Sequence, residues 1–154
     1  MRLLALDLGT TSACVIADDC RPPIVAEWDC SVRRGESNGM RFLRFRRYLA
    51  QVLDDGPARI VGYERPGVLK SGPAYAVLYG LVAEVESACT ERRVEYLGVR
   101  PSELKKLALG KGGGPGTDKK AMVAAAKARW PRIQMTDNIA DALFVMEILK
   151  ETFA

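Results

Sequence analysis

RLLALDLGTTSACVIAD, residues 2–18, is the stretch on which the reading of the fold turns. Two runs rich in β-formers, 2–8 and 12–18, are joined by Gly9-Thr10-Thr11, which makes a tight turn and predicts an antiparallel pair. Alternation puts Leu4, Leu6 and Leu8 on one face of the first strand and Leu3, Ala5 and Asp7 on the other. The strand is therefore apolar on both sides, as a central strand is, and Asp7 stands where an unpaired charge is costly. Such a carboxylate is normally neutralised, paired or bound to a metal. The plain alternative is a strand-end aspartate that caps the turn after it.

Working outward, 23–32 reads as a third strand and completes a meander. From Asn38 to Asp54 the apolar residues Phe42, Phe45, Leu49, Val52 and Leu53 share a helical face, while Arg41, Arg44 and Arg47 form a basic stripe on another. Gly56-Pro57 ends that helix, and 58–64 is a buried strand closing on Glu64. A second long helix is expected over 71–90 with Ser71 as its cap, then a strand over 94–99 and a short helix over 101–109. Residues 110–120, GKGGGPGTDKK, form a glycine-rich loop, and Thr117 or Asp118 caps a helix that Pro131 stops. The last helix, 138–152, is capped by Thr136 or Asp137 and is apolar nearly all round, so it should be largely buried. The order βββ-α-β-α-β-α-α-α makes an α/β domain: a mixed five-stranded sheet, antiparallel in its first three strands, flanked by helices. No repeat or long linker divides it, so 1–154 is read as one domain.

Composition narrows the chemistry. With 48% hydrophobic and 27% charged residues the chain has the balance of a soluble globular domain. No apolar run is long enough to span a membrane, and Asp7 interrupts the N-terminal one, so the expected location is the cytoplasm. The chain has no histidine, and Cys14, Cys20, Cys30 and Cys89 show no C-x-x-C spacing; this excludes the usual zinc sites and histidine-based nucleophile activation. The net charge of +4 conceals segregation. Residues 33–47 hold six arginines against one glutamate, and 100–132 hold nine Lys/Arg against Glu103 and Asp118. Basic segments flanking misplaced acids suggest a polyanion held beside a metal site, although a solvated basic surface explains charge alone equally well.

Glu64 ends an apolar strand and Pro66 turns the chain away directly after it, which leaves the carboxylate at the sheet edge. Asp137 and Asp141, at i and i+4, face the same way across the first turn of a helix, and Asp141 has only small neighbours, Ala140 and Ala142. Asp7, Glu64, Asp137 and Asp141 are hard oxygen donors suited to Mg²⁺, with Mn²⁺ able to substitute. Beside a basic surface, such a cluster suits two-metal phosphodiester hydrolysis. The loop at 110–117 lacks the Walker A order and, with Lys111, Lys119 and Lys120, is either a phosphate contact or a surface loop.

Two resemblances follow. D-L-G-T-T-S at 7–12 resembles the first phosphate loop of the actin-like sugar kinases, but those enzymes need two lobes and a second phosphate loop. Taken together with Y-E-R-P at 63–66, V-R-P-S-E-L-K-K at 99–106, G-K-G-G-G-P-G-T-D-K-K at 110–120 and D-N-I-A-D-A-L at 137–143, it instead resembles the RuvC family of Holliday-junction resolvases, and most nearly the phage-borne members. That resemblance implies an RNase H-like fold, a homodimer formed through the 71–90 helix, and symmetric paired nicks across four-way junction DNA with two Mg²⁺ ions per site. In a phage-encoded protein the work would take place in the cytoplasm of the bacterial host. The family's metal-binding acids match Asp7, Glu64 and Asp141. The fourth falls on the position of Asn138 in many bacterial members but matches Asp137 in other branches; Asp137 is taken as the fourth metal-binding acid, with Asn138 as its supporting partner. Lys119 matches a lysine that contacts DNA near the cut, with Lys120 and Lys111 beside it; Arg41, Arg44 and Arg47 are expected to bind junction arms. A histidine that some members carry after the last aspartate is replaced here by Ala142 and Leu143. The alternatives are another RNase H-like nuclease, acting on forks or RNA, and a catalytically silent junction-binding protein.

Overall fold

The computed structural model describes residues 1–19, 21–67 and 72–153. Strands β1 (Leu3–Asp7), β2 (Thr11–Ala17), β3 (Ile24–Asp29), β4 (Ile60–Glu64) and β5 (Glu95–Val99) form one sheet in the order β3-β2-β1-β4-β5. The first three are antiparallel, and β4 and β5 add in parallel on the far side of β1. This is the mixed sheet that the sequence predicts, with β1 at its centre. The turn between β1 and β2 is closed by Ser12, whose hydroxyl donates to Gly9 O at 2.9 Å and accepts from Gly9 N at 3.2 Å. These bonds satisfy a side chain that is fully buried.

The helices are α1 (Gly39–Asp54), α2 (Pro73–Arg92), α3 (Pro101–Leu109), α4 (Lys119–Arg129) and α5 (Asp137–Phe153). They cover the sheet as the alternation in β1 requires. Leu3 and Ala5 face a core built with α3, α4 and α5, whereas Leu4, Leu6 and Leu8 face Phe45 and Leu49 of α1 and Leu81 and Val85 of α2. Cys14, Cys30 and Cys89 are buried free thiols.

Some boundaries differ from expectation. The β3 ladder spans only Ile24–Asp29, because its pairing with β2 ends there. Helix α2 runs two residues beyond Thr90 and stops at Arg93, which adopts a left-handed conformation (φ 56°), while Val94 N closes back on Cys89 O at 2.9 Å. Ser71, the expected cap, and Cys20 lie outside the described residues. Asp118 caps α4 by accepting from Ala121 N at 2.9 Å, and Thr136 caps α5 by accepting from Ile139 N. Asp137 is thereby the first residue of the helix rather than its cap.

Helix α5 lies close over the sheet because β4 offers it a glycine. A Cβ on Gly62 would sit 2.8 to 3.0 Å from the Leu149 side chain. Gly62→Ala should therefore destabilise the fold by about 1–3 kcal/mol. Combined with Leu149→Ala, it should cost clearly less than the sum of the two single changes, as measured by denaturant unfolding. Strict additivity would mean that the two positions do not press on one another.

Candidate metal centre and nucleic-acid cleft

Three elements deliver one carboxylate each to the same point. Asp7 ends β1 and Glu64 ends β4, neighbouring parallel strands whose C-terminal ends open on the same edge of the sheet. Asp141 is on the second turn of α5, between the fully buried Ala140 and Ala142, whose small side chains let the helix approach β1. Carboxylate oxygens of Asp7, Glu64 and Asp141 all lie within 4.8 Å of one another, and all three residues are partly buried.

The electrostatics record the strain of that arrangement. Burial, followed by the charges of Asp141 and Glu64, holds Asp7 well above the usual carboxylate range. Burial and then Asp141 push Glu64 up to about 7, against the opposing pull of Lys105 and Lys119. Asp141 rises to about 6, chiefly by burial. Three hard oxygen donors that repel one another in a partly dry site are a donor set that a divalent cation would satisfy.

The cluster lies in a cleft of about 730 Å³, also lined by Gly9, Thr10, Arg65, Lys105, Lys119 and Asn138. Asp137 is not among the converging carboxylates. Its side chain, 45% exposed, accepts from Lys119 Nζ at 3.2 Å, and this pairing keeps its pKa low. It borders a shallower depression with Lys120 and Lys127. Asn138 does line the cleft; its amide nitrogen lies 3.5 Å from Glu27 Oε1 on β3, which also accepts from Thr136 Oγ1 at 2.7 Å.

The other expected DNA contacts are dispersed. Lys111 donates to Pro115 O within its own loop. Arg44 is occupied by Glu36, at 2.5 and 2.7 Å, and by Ser31 O. Arg47 is exposed beside Arg33 and Tyr48. Arg41 points elsewhere, into a second cavity. Lys105 and Glu27 are site residues that sequence reasoning missed. Lys105 stood in the V-R-P-S-E-L-K-K stretch, but nothing local distinguishes it from Lys106. Glu27 reads as an ordinary outward residue of an edge strand.

Among the described residues no helix is long and apolar enough to cross a membrane. No family model matches the chain, and no curated protein does. Solved structures do. RuvC of Thermus thermophilus in complex with a Holliday junction substrate superposes with a TM-score of 0.74 at 16% identity, over 94% of this chain and 90% of that one. The Fowlpox virus resolvase, solved with substrate Holliday junction DNA, gives 0.59 at 12% identity, over 98% and 99%. The yeast mitochondrial Holliday junction resolvase gives 0.54 at 14%, over 94% and 75%. The fold is thus the RNase H-like fold of RuvC and the resolvases built like it.

The raised carboxylates set a pH dependence. In the folded chain Glu64 and Asp141 keep protons up to about pH 7 and 6 that the unfolded chain releases near 4, so their contribution is complete below pH 4 and lost as pH rises through 7. Glu64 alone accounts for a loss on the order of 3 kcal/mol. Without divalent ions, thermal stability should fall between pH 5 and pH 8, and Asp141→Asn should flatten the fall. Stability that rises across that window would contradict the repulsion argument.

Proposed function

We propose that the chain is a structure-selective DNA endonuclease that resolves four-way junctions by Mg²⁺-dependent phosphodiester hydrolysis. The observation that carries this reading is the convergence of Asp7, Glu64 and Asp141 within 4.8 Å in a cleft rimmed by lysines, on a fold shared with resolvases solved on junction DNA. Asp7, Glu64 and Asp141 would hold the ions. A fourth oxygen would come from the first turn of α5, where Asn138 faces the cleft while Asp137 engages Lys119. A pair of divalent cations bound there would polarise a phosphate and acidify a water at neutral pH.

The remaining work falls to side chains. Lys119 and Lys105, whose charges act on the carboxylates, place positive charge where a scissile phosphate would lie and oppose the repulsion between cluster and substrate. Glu27 holds Asn138 by its amide nitrogen, which leaves the carbonyl oxygen for the cleft. Lys119 is bound to Asp137 until a phosphate competes for it, so the pair stores a donor at the rim. Lys120 extends the basic rim, and Lys111 and Arg47 reach the arms. Paired nicks require two such sites, and the outer face of α2, where Tyr75 and the 53% exposed Tyr79 meet edge to face, supplies an apolar surface for a homodimer.

The test is cleavage of labelled four-way junction, fork, linear duplex and RNA–DNA hybrid with Mg²⁺ or with EDTA. Symmetric paired nicks in the junction, abolished by EDTA and by Asp7→Ala with binding retained, are expected. Preference for forks or hybrids would mean a different RNase H-like nuclease, and binding with no cutting a silent junction protein. Asn138→Ala should lower the rate by about 10- to 100-fold, as loss of an oriented metal-site partner does. Asp137→Asn should act mainly by loosening Lys119, with a smaller loss. The reverse order would return the fourth ligand to Asp137.

A further inference from the structure

Arg41 was expected to share a stripe with Arg44 and Arg47, but the fold gives it a separate place. It enters a cavity of about 790 Å³ between α1 and the start of α2, walled by Phe42, Val77 and Leu78. This cavity shares Gly9, Thr10 and Leu78 with the carboxylate cleft, so the two lie side by side across the Gly9-Thr10 turn. Arg41 Nε is buried without a hydrogen-bond partner among the described residues, whereas Arg44, one turn on, is satisfied by Glu36 and Ser31. A guanidinium N–H withdrawn from water and left unpaired is costly unless a ligand completes it. No acidic residue lines the cavity among the described residues, and α2 begins at its edge with no acid in the first turn, so the positive end of the helix adds to the field of Arg41.

We propose that this cavity is a phosphate subsite, holding by Arg41 a backbone phosphate of the DNA strand within two nucleotides of the one that is cut. The inference rests on the nuclease reading and deepens it. A polyanion drawn across three carboxylates needs cations on both sides. Lys119 and Lys105 stand on one side, and beyond the Gly9-Thr10 turn Arg41 stands on the other. The phosphate is favoured over a base as the group recognised, because a guanidinium fork beside a helix N-terminus complements phosphate oxygens. The apolar wall of Phe42, Val77 and Leu78 is left to cover the attached sugar.

The experiment measures four-way junction binding in an Asp7→Asn background, which prevents cutting, with single neutral methylphosphonates placed in turn at the phosphates flanking the cleavage position. Arg41→Ala should weaken binding about tenfold and reduce the slope of log affinity against log salt by about one. One methylphosphonate within two nucleotides of the cut should cost the parent protein a similar factor and cost Arg41→Ala nothing. Arg41→Lys should restore the salt slope but only part of the affinity. An unchanged melting temperature for Arg41→Ala assigns these losses to binding. Equal losses for both proteins at every methylphosphonate, or an Arg41→Ala protein that binds like its parent, would overturn the subsite and leave the nuclease reading intact. Failure of the wild-type protein to bind or cut any junction would instead overturn the nuclease reading.

Discussion

The packing of α5 against β1 is the contact on which the rest of the structure depends. Helix α5 buries Ile139, Ala140, Ala142, Leu143, Phe144, Val145, Met146 and Leu149, and β1 meets it with Leu3 and Ala5. That burial, at about 25 cal/mol per Å² of apolar surface, opposes the repulsion among the acids that the same contact brings together. Asp141 cannot withdraw from Asp7 without lifting a helix that is apolar on most sides. Gly62 beneath Leu149 and the alanines on either side of Asp141 set how close that approach is. The site is therefore held by the core, and the core tolerates its charges because they cluster at the open end of the parallel strands β1 and β4.

Charge in this protein is sorted by position rather than by amount. A net charge of +4 says little until the arginines are divided into those already paired and those left over. Arg44 belongs to Glu36 and Arg46 to Glu84; both tie α1 to its surroundings. Lys105 and Lys119 border the carboxylate cleft and Arg41 the cavity beside it, while Arg47 is exposed beside Arg33 and Tyr48. Lys119 serves both roles, since its ion pair with Asp137 is at the surface, where such pairs contribute little and exchange easily. The cleft thus opposes a negative floor to a positive rim, which is the electrostatic form of a site that attracts a polyanion and then needs a cation to hold it.

Much of the architecture was legible because it follows from periodicity. Alternation in β1 assigned Leu4, Leu6 and Leu8 to one core and Leu3 and Ala5 to the other, and the structure keeps that division. The helical spacing in α1 picked out Phe45, Leu49 and Leu53, all buried. Asp7, Glu64 and Asp141 were visible as carboxylates in apolar runs. The Arg41-Arg44-Arg47 stripe was also read correctly as a pattern, yet it did not act as a unit, since Glu36 lies eight residues before Arg44 and claims it across a loop that no helical wheel includes. At the start of α5 the i, i+4 rule placed Asp137 with Asp141, and its charge does raise Asp141 and Asp7, but Lys119, 18 residues away, is the partner of its carboxylate.

By itself, the sequence determined the order of the elements, the central place of β1 and the carboxylates that stand in apolar runs, because these depend on residue type and local spacing. Only the tertiary structure decided which charges meet. Glu27 reaches Thr136 across 109 residues, Lys105 joins the cleft while Lys106 is not among the residues lining it, and Arg41 alone of its stripe lines the cavity beside the cleft. Such pairings depend on how far apart two side chains finish after the sheet and helices have packed. An ionic contact falls off with that distance, and separation along the chain does not specify it.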